Sequence, residues 1–253
     1  MQTTELDPGD LSDQAAGWSM AATHFLTTLF APDWMTIIMS NGTSEASLVL
    51  FSLPGRGRSE TLRLMLTMMR KKFEDRRVTI NEWREYKKRE DLDENAKLPV
   101  LRLKDNSHIV GAVEIGRHLA VSLHLFGSSS AEQEEIESIV ADVESLQPDL
   151  APVLRATITK NDELRKECWN TYKEEILNPV LEKLTNKLDA KTFFVGNKVS
   201  WADFAVAEML SRYASCFDSF FLSSHPILRE HMRNMERMPT LRSYVADRPR
   251  SAF

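Results

Sequence analysis

Residues 48–60 read LVLFSLPGRGRSE, and this stretch decides the fold. Its four leading apolar residues are followed by a proline and two glycines, so the run predicts a short buried strand that ends in a turn. A helix is predicted next, from Glu60 to Met69, because apolar side chains recur there at helical spacing: Leu62, Met65, Leu66 and Met69.

The following segments predict a small mixed sheet. We expect strands at residues 73–80, 98–103 and 108–110, a turn at residues 104–107, and a helix at residues 113–123. A strand-helix-strand unit gives a parallel pair, and a hairpin adds antiparallel strands to the same sheet. The order βαβ-ββα is therefore typical of a thioredoxin-like domain.

The second half of the chain has a different pattern. Residues 126–130, FGSSS, form a predicted linker, and helical periodicity follows at residues 131–155 and 164–188. Ser200 and Asp203 are spaced as a capping box that begins another helix. We therefore predict an α/β plus all-α protein, with a thioredoxin-like domain at residues 47–125 and a helical domain at residues 131–253.

Composition limits the classes of function. A net charge of −5 and a pI near 5.8 provide no basic surface for phosphates, so nucleic acid is not an expected partner. Cys168 and Cys216 have no metal or redox spacing, and the six histidines have no ligand spacing either. One disulfide between these cysteines is conceivable, but two free thiols in a reducing cytoplasm are the expectation, and no metal site is expected.

Residues 1–46 are expected to form a poorly ordered extension. The apolar stretch at residues 18–39 is interrupted by His24, Pro32 and Asp33, which makes it too broken for a membrane span. An interfacial helix is the alternative for this stretch. The acidic residues before it are unlike a signal or transit peptide, and Met39 is a candidate alternative start.

Several segments together resemble the sigma-class glutathione transferases, a family related to glutathione-dependent prostaglandin D synthase and the S-crystallins. The resemblance extends over residues 47–253. It implies glutathione as substrate, a small hydrophobic electrophile as second substrate, and a homodimer. The segments that match are FSLPGRGRSE at 51–60, FEDRRV at 73–78, Trp83 with Lys87, KLPVL at 97–101, FVGN with SWAD at 194–203, and Arg248-Pro249.

The resemblance also assigns the catalytic position. The family places a tyrosine four residues before the first arginine of its Arg-Gly-Arg run, where the phenol stabilises the glutathione thiolate. That position is Ser52 in this chain. Either Ser52 replaces the phenol as a catalytic hydroxyl, or it is a structural serine. The second alternative is favoured, because a serine hydroxyl reaches less far than a tyrosine phenol and is a weaker acid. Arg58 matches an arginine near the thiolate, whose positive charge lowers the thiol pKa.

By the same resemblance, the glutathione-binding residues are partly retained. Trp83 and Lys87 match residues for the glycyl carboxylate, Lys97 and Leu98 match the segment whose backbone pairs with the cysteinyl unit, and Pro99 matches the family's cis-proline. Gly111-Ala112 replaces the Gln-Ser or Glu-Ser pair that binds the γ-glutamyl carboxylate, so only backbone amides remain there. The helix residues that match a partner subunit's acidic contact are Glu144 and Ser145.

Two functional hypotheses follow. The first is a glutathione transferase-like protein with a degenerate site, weak glutathione binding and at best weak conjugation to electrophiles. The second is a non-enzymatic binding or structural protein, similar to the crystallins, that retains the fold. The replaced tyrosine favours the second hypothesis, and the retained Arg58, Trp83, Lys87 and Pro99 favour the first.

Overall fold

The structure of the protein is a computed structural model that describes residues 48–249 and 251. The predictions for residues 1–46, including the interfacial helix and the start at Met39, lie outside the described residues. The division at residues 126–130 into two domains stays a prediction.

The first half of the described chain is a four-stranded mixed sheet with helices. The sheet order is β2-β1-β3-β4, with β1 parallel to β2 and antiparallel to β3, and β3 antiparallel to β4. This confirms the thioredoxin-like topology. The elements are β1 Leu48–Ser52, α1 Glu60–Met68, β2 Phe73–Arg77, α2 Ile80–Arg89, β3 Val100–Arg102, β4 His108–Val110 and α3 Ala112–Ser122.

Helix α2 was not predicted, and the strand expected over residues 73–80 ends at Arg77. Thr79 begins the helix: its side chain accepts from the Glu82 amide at 3.3 Å, and the Glu82 carboxylate accepts from the Thr79 amide at 2.7 Å. This capping box satisfies two amides that the first helical turn leaves without partners. The order is therefore βαβα-ββα, one helix more than predicted.

Successive side chains of β1 point to opposite faces of the sheet and pack into two different cores. Leu48 and Leu50 pack into the large core that α1, α3 and the C-terminal helices share. Val49 and Phe51 point to the opposite face and pack against α2, with Trp83 and Tyr86 beside them. Because both faces are covered, β1 is buried along its whole length.

The second half of the described chain is helical, as predicted, although the helix expected over residues 131–155 is two helices. Residues 146–150 interrupt it, because Pro148 has no amide hydrogen and disfavours helical geometry at Gln147. The helices are α4 Ser130–Ser145, α5 Ala151–Ile158, α6 Asp162–Tyr172, α7 Asn178–Leu188, α8 Trp201–Cys216, α9 Pro226–Glu236 and α10 Arg242–Asp247, with a π turn, Lys173–Leu177, joining α6 to α7. Within residues 48–249, no helix has the length and apolar character needed to cross a membrane.

The predicted capping box begins α8 and forms a buried polar centre. Asp203 has no exposed surface, and its carboxylate accepts from the Ser200 amide at 2.8 Å and the Phe194 amide at 3.0 Å. The Nε2 atom of His231 lies 3.0 Å from the same carboxylate. His231 and His225 are also buried, with 5% and 9% of their surface exposed. The His231 ring is buried because it packs edge-on against Phe194.

A glycine on α3 permits close packing against α8. A β-carbon at Gly116 would lie 2.4 Å from the Trp201 ring, which is closer than real β-carbons approach another atom. The indole of Trp201 therefore lies directly on the α3 backbone. The main-chain amide of Trp201 donates to the Leu125 carbonyl at 2.9 Å. This contact joins the end of the sheet half to the first turn of α8.

We expect the Asp203→Ala substitution to destabilise the protein by about 2–4 kcal/mol, because two buried amides and the Ser200 hydroxyl lose a charged acceptor. Denaturant unfolding followed by circular dichroism measures this. Glu167→Ala, an exposed change on α6, is the control and should alter the free energy of unfolding by less than about 0.5 kcal/mol. A loss below about 1 kcal/mol for Asp203→Ala would show that this polar centre is not needed for stability.

Candidate functional site

Ser52 is the last residue of β1, and its side chain points into the protein. It is 1% exposed, and its Oγ accepts a hydrogen bond of 2.5 Å from Nη2 of Arg63 on α1. The hydroxyl at the predicted catalytic position is therefore held inside the fold by a buried guanidinium.

Arg63 has no exposed surface, and it is surrounded by acceptors. Its Nε donates to Asp75 at 2.9 Å and its Nη1 to Glu60 at 3.0 Å. Burial acts to lower the pKa of Arg63, but the hydrogen bond to Asp75 and the charges of Asp75 and Glu60 outweigh it and raise that pKa. The guanidinium is thus permanently charged, and Ser52 supplies one of the acceptors it requires.

Arg58 lies in the turn Gly57–Ser59 before α1, with its guanidinium partly exposed. It forms an ion pair with Glu144 on α4. Both side chains line a cleft between the sheet half and the helical half, which also contains Ala112. The arginine predicted to stand near the thiolate is therefore paired within the chain.

Trp83 and Lys87 both bond to the segment before β3. The Trp83 ring is 5% exposed, packs against Phe51 and Tyr86, and donates from Nε1 to the Ala96 carbonyl at 3.1 Å. The Lys87 ammonium donates to the Glu94 carbonyl. Both predicted carboxylate ligands therefore hold α2 against this segment in the structure.

The segment that leads into β3 lies beside the start of α3. The Leu98–Pro99 peptide bond is cis, and the Gly111 amide donates to the Pro99 carbonyl at 3.0 Å. Lys97 is exposed and Leu98 half-buried. Ala112, the first residue of α3, follows Gly111, whose φ of 99° favours glycine. Since glycine has no side chain, the first turn of α3 has no side-chain cap.

The structure therefore groups the predicted residues in two places. Ala112 and Arg58 share the cleft, while Trp83 and Lys87 are bonded to the segment that leads to Lys97, Leu98 and Pro99. Ser52 is buried beside Arg63 and is not among the residues that line the cleft. No three histidine, cysteine or acidic side chains within the described part of the chain are placed to hold a metal ion.

Two charged residues of the cleft were missed by the sequence analysis. Glu208 and Arg212 lie on α8, four residues apart and 3% and 4% exposed. Glu208 accepts from Nε of Arg56 at 3.2 Å. The local sequence feature that could have indicated these two residues is the presence of a glutamate and an arginine in a helix whose other side chains are mainly apolar.

Comparisons with known proteins agree with this fold. Residues 149–248 match the family model for the glutathione S-transferase C-terminal domain. The chain is 26% identical over 204 residues to the glutathione S-transferase class-mu 28 kDa isozyme of Schistosoma bovis, covering 79% of this chain and 94% of that protein. It is 23% identical over 196 residues to the hematopoietic prostaglandin D synthase of Homo sapiens, covering 78% of this chain and 94% of the synthase.

A solved structure gives the same result for the fold. The structure of NaGST-2 superposes with a TM-score of 0.72 and 23% identity, covering 82% of this chain and 99% of that chain. At this identity the similarity concerns the fold alone. It supports the sheet topology and the helical second half described above.

We expect Ser52→Ala to destabilise the protein by about 1.5–3 kcal/mol, since the buried Arg63 guanidinium loses an acceptor. Denaturant unfolding measures the change. Ser145→Ala, an exposed serine on α4, is the matched control and should change the free energy of unfolding by less than about 0.5 kcal/mol. Equal stability of the Ser52→Ala and wild-type proteins would contradict the structural role of this hydroxyl.

Proposed function

We propose that this chain is a member of the glutathione S-transferase family, which the similarities above support, and that it has a degenerate glutathione site and conjugates glutathione to electrophiles at best weakly. The observation that carries the proposal is the position of Ser52, whose hydroxyl is 1% exposed and bonded to Arg63. A hydroxyl in this position does not reach a thiol bound in the cleft. The sigma class remains part of the proposal, as does a homodimer in the cytoplasm.

The binding of the γ-glutamyl carboxylate is weakened for a separate reason. Gly111 and Ala112 provide backbone amides at the start of α3 but no side-chain donor. A hydrogen bond to a charged group contributes about 1.5–3 kcal/mol, and about 1.4 kcal/mol corresponds to a factor of ten in affinity. Each missing donor therefore lowers the expected affinity for glutathione by about 10- to 100-fold.

The remaining donors must break internal bonds before they bind glutathione. Trp83 donates to Ala96, Lys87 donates to Glu94, and Arg58 is paired with Glu144. When a ligand bonds to one of these donors, the binding free energy is only the difference between the new bond and the internal bond that it replaces. This supports weak binding rather than none, because all three residues are present at the sequence positions that the resemblance assigns to the site.

The alternative is a non-enzymatic binding or structural protein with the same fold. The internal pairing of Arg58 favours it, because a guanidinium shared with Glu144 does less to stabilise a thiolate. The two hypotheses differ in one measurable respect: the degenerate enzyme binds glutathione, and the structural protein does not.

Calorimetric titration with glutathione tests the proposal. We expect the wild-type protein to bind with a dissociation constant in the millimolar range, and Ala112→Ser to bind about 10- to 100-fold more tightly, because the added hydroxyl donates to the carboxylate. Serine differs from alanine by one oxygen, so this change should be accommodated at a buried helix start.

Ala151→Ser is the matched control, because Ala151 is also the first residue of a helix and is exposed on α5. It should bind glutathione like the wild-type protein. Absence of heat from both the wild-type and Ala112→Ser proteins would support the non-enzymatic alternative.

Conjugation of glutathione to 1-chloro-2,4-dinitrobenzene tests the catalytic part. We expect a low rate that Ser52→Ala changes less than about twofold, because the Ser52 hydroxyl is enclosed and already bonded to Arg63. A loss of about 100-fold in Ser52→Ala, with the protein still folded, would identify Ser52 as the catalytic hydroxyl and overturn the proposal, since a lost hydrogen bond to a thiolate costs up to about 3 kcal/mol.

A further inference from the structure

Thr79 is preceded by two arginines and followed by an apolar residue. Residues 76–80 read RRVTI, and Thr79 is the only serine or threonine of the whole sequence with arginine at both the second and the third position before it. Protein kinases that act on basic substrates select them by this charge pattern, because carboxylates in the kinase cleft pair with the arginines. The stretch therefore indicates an acceptor hydroxyl for phosphorylation.

This stretch lies on an exposed edge of the sheet. Among the described strands β2 pairs with β1 only, and an edge strand leaves one side of its backbone free for another chain. The backbone stays extended beyond β2, since Thr79 has a φ of −73° and a ψ of 164°. Thr79 is exposed, and Ile80 is 50% exposed. The acceptor residue and its neighbours are thus accessible in the extended form that peptide-binding clefts take up.

Arg77 is held by bonds that another carboxylate can replace. Its Nε donates to Asp75 at 3.0 Å, and its Nη1 donates to the Gly55 carbonyl at 3.4 Å. Both charged side chains are partly exposed, and ion pairs at the surface contribute little net stability. Asp75 keeps the buried Arg63 as a partner when Arg77 turns outward.

Arg76 is accessible on the other face of the strand. It forms an ion pair of 2.6 Å with Glu74, in which the two side chains are 39% and 44% exposed. Its guanidinium also lies 5.2 Å from the centre of the Phe51 ring. Because this pair is at the surface too, a carboxylate of another protein can replace Glu74. A kinase can therefore contact both arginines while β2 stays in the sheet.

The Thr79 hydroxyl is held by the carboxylate of Glu82. Oε2 of Glu82 accepts from the Thr79 amide at 2.7 Å and from the Thr79 hydroxyl at 2.8 Å. These two bonds hold the pKa of Glu82 below its ordinary value, so the carboxylate is ionised at neutral pH. In this state Glu82 competes with the catalytic base of a kinase for the hydroxyl proton.

We propose that Thr79 is a phosphorylation site for a protein kinase that selects arginines before its acceptor residue. The γ-phosphoryl group of a nucleoside triphosphate is transferred to Oγ1 of Thr79. Its bond to the nucleoside diphosphate breaks, its bond to Oγ1 forms, and the hydroxyl proton passes to the catalytic base of the kinase. The inference goes beyond the proposed function and does not depend on glutathione.

Phosphorylation changes the start of α2, the helix that carries Trp83 and Lys87. A phosphothreonine has a charge of about −1.5 to −2 at pH 7, and it has no hydroxyl hydrogen to donate to Glu82. Repulsion therefore turns the exposed Glu82 carboxylate out to solvent. The phosphate then replaces it as acceptor for the first amides of α2, where the helix dipole favours negative charge.

The first experiment locates the phosphate. Folded wild-type protein is incubated with ATP and cAMP-dependent protein kinase, which selects this charge pattern, and phosphopeptides are mapped by mass spectrometry. We expect phosphate on Thr79, and total incorporation that falls to background in Thr79→Val. Absence of phosphate from Thr79, or phosphate on other residues alone, would overturn the proposal.

The second experiment tests the two arginines by the initial rate of phosphorylation. Arg76→Gln and Arg77→Gln should each lower this rate by about tenfold or more, because a charge-assisted hydrogen bond to the kinase is lost. Arg84→Gln is the matched control, since Arg84 is an exposed arginine on α2, and should leave the rate unchanged. Wild-type rates in both folded variants would show that the arginines do not direct a kinase to Thr79, which contradicts the proposal.

The third experiment tests the competition with Glu82. Glu82→Ala should raise the initial rate by about 2- to 10-fold, because the hydroxyl is no longer bonded to a carboxylate. Glu85→Ala, an exposed change on the same helix, should leave the rate unchanged. A rate in Glu82→Ala equal to or below that of the wild-type protein would overturn the role assigned to this carboxylate.

Discussion

The guanidinium of Arg63 has no exposed surface, so every partner it needs has to come from inside the protein. Asp75 from β2, Glu60 from α1 and Ser52 from β1 all bond to it. Carbonyls of the turn that joins β1 to α1 complete the set, at Gly55 and Arg56. This one cation therefore fixes the end of β1, the turn after it and the start of α1 relative to each other.

The same arrangement extends into the helical half of the chain. Glu60, which accepts from Arg63, also accepts from the Tyr244 hydroxyl at 3.1 Å and from Arg248 at 3.4 Å. Arg248 in turn donates to Glu236 at 3.1 Å. Removing the charge of Arg63 would leave Glu60 with Arg248 and Asp75 with Arg77 as their remaining ion-pair partners. The hydroxyl of Ser52 belongs to this arrangement, and it is for this reason that it faces inward.

Local patterns predicted those parts of the fold that neighbouring residues determine. The apolar run of β1, the hairpin strand His108–Val110 and the Ser200-Asp203 box need only a few adjacent residues to form, and each was found where the sequence indicated. Helix α2 was missed because the β-branched residues before its first turn resemble the end of a strand. Its capping box was present in the sequence and would have located it.

The charged residues of the cleft were missed for a different reason. Arg56 and Glu208 are separated by 152 positions, and nothing near either residue in the sequence indicates that they meet. The resemblance to a family supplied the positions of Ser52, Arg58 and Ala112, but it could not show which of their polar groups are bonded within the chain. That information comes only from the packed structure.

The internal bonds of the predicted site residues show how these residues can support the fold independently of any chemistry. Trp83 and Lys87 stabilise the contact between α2 and the segment before β3, and Ser52 stabilises the buried Arg63, so each residue contributes to the folded state without any ligand. Such residues persist even where binding is weak, and their presence alone does not demonstrate catalysis.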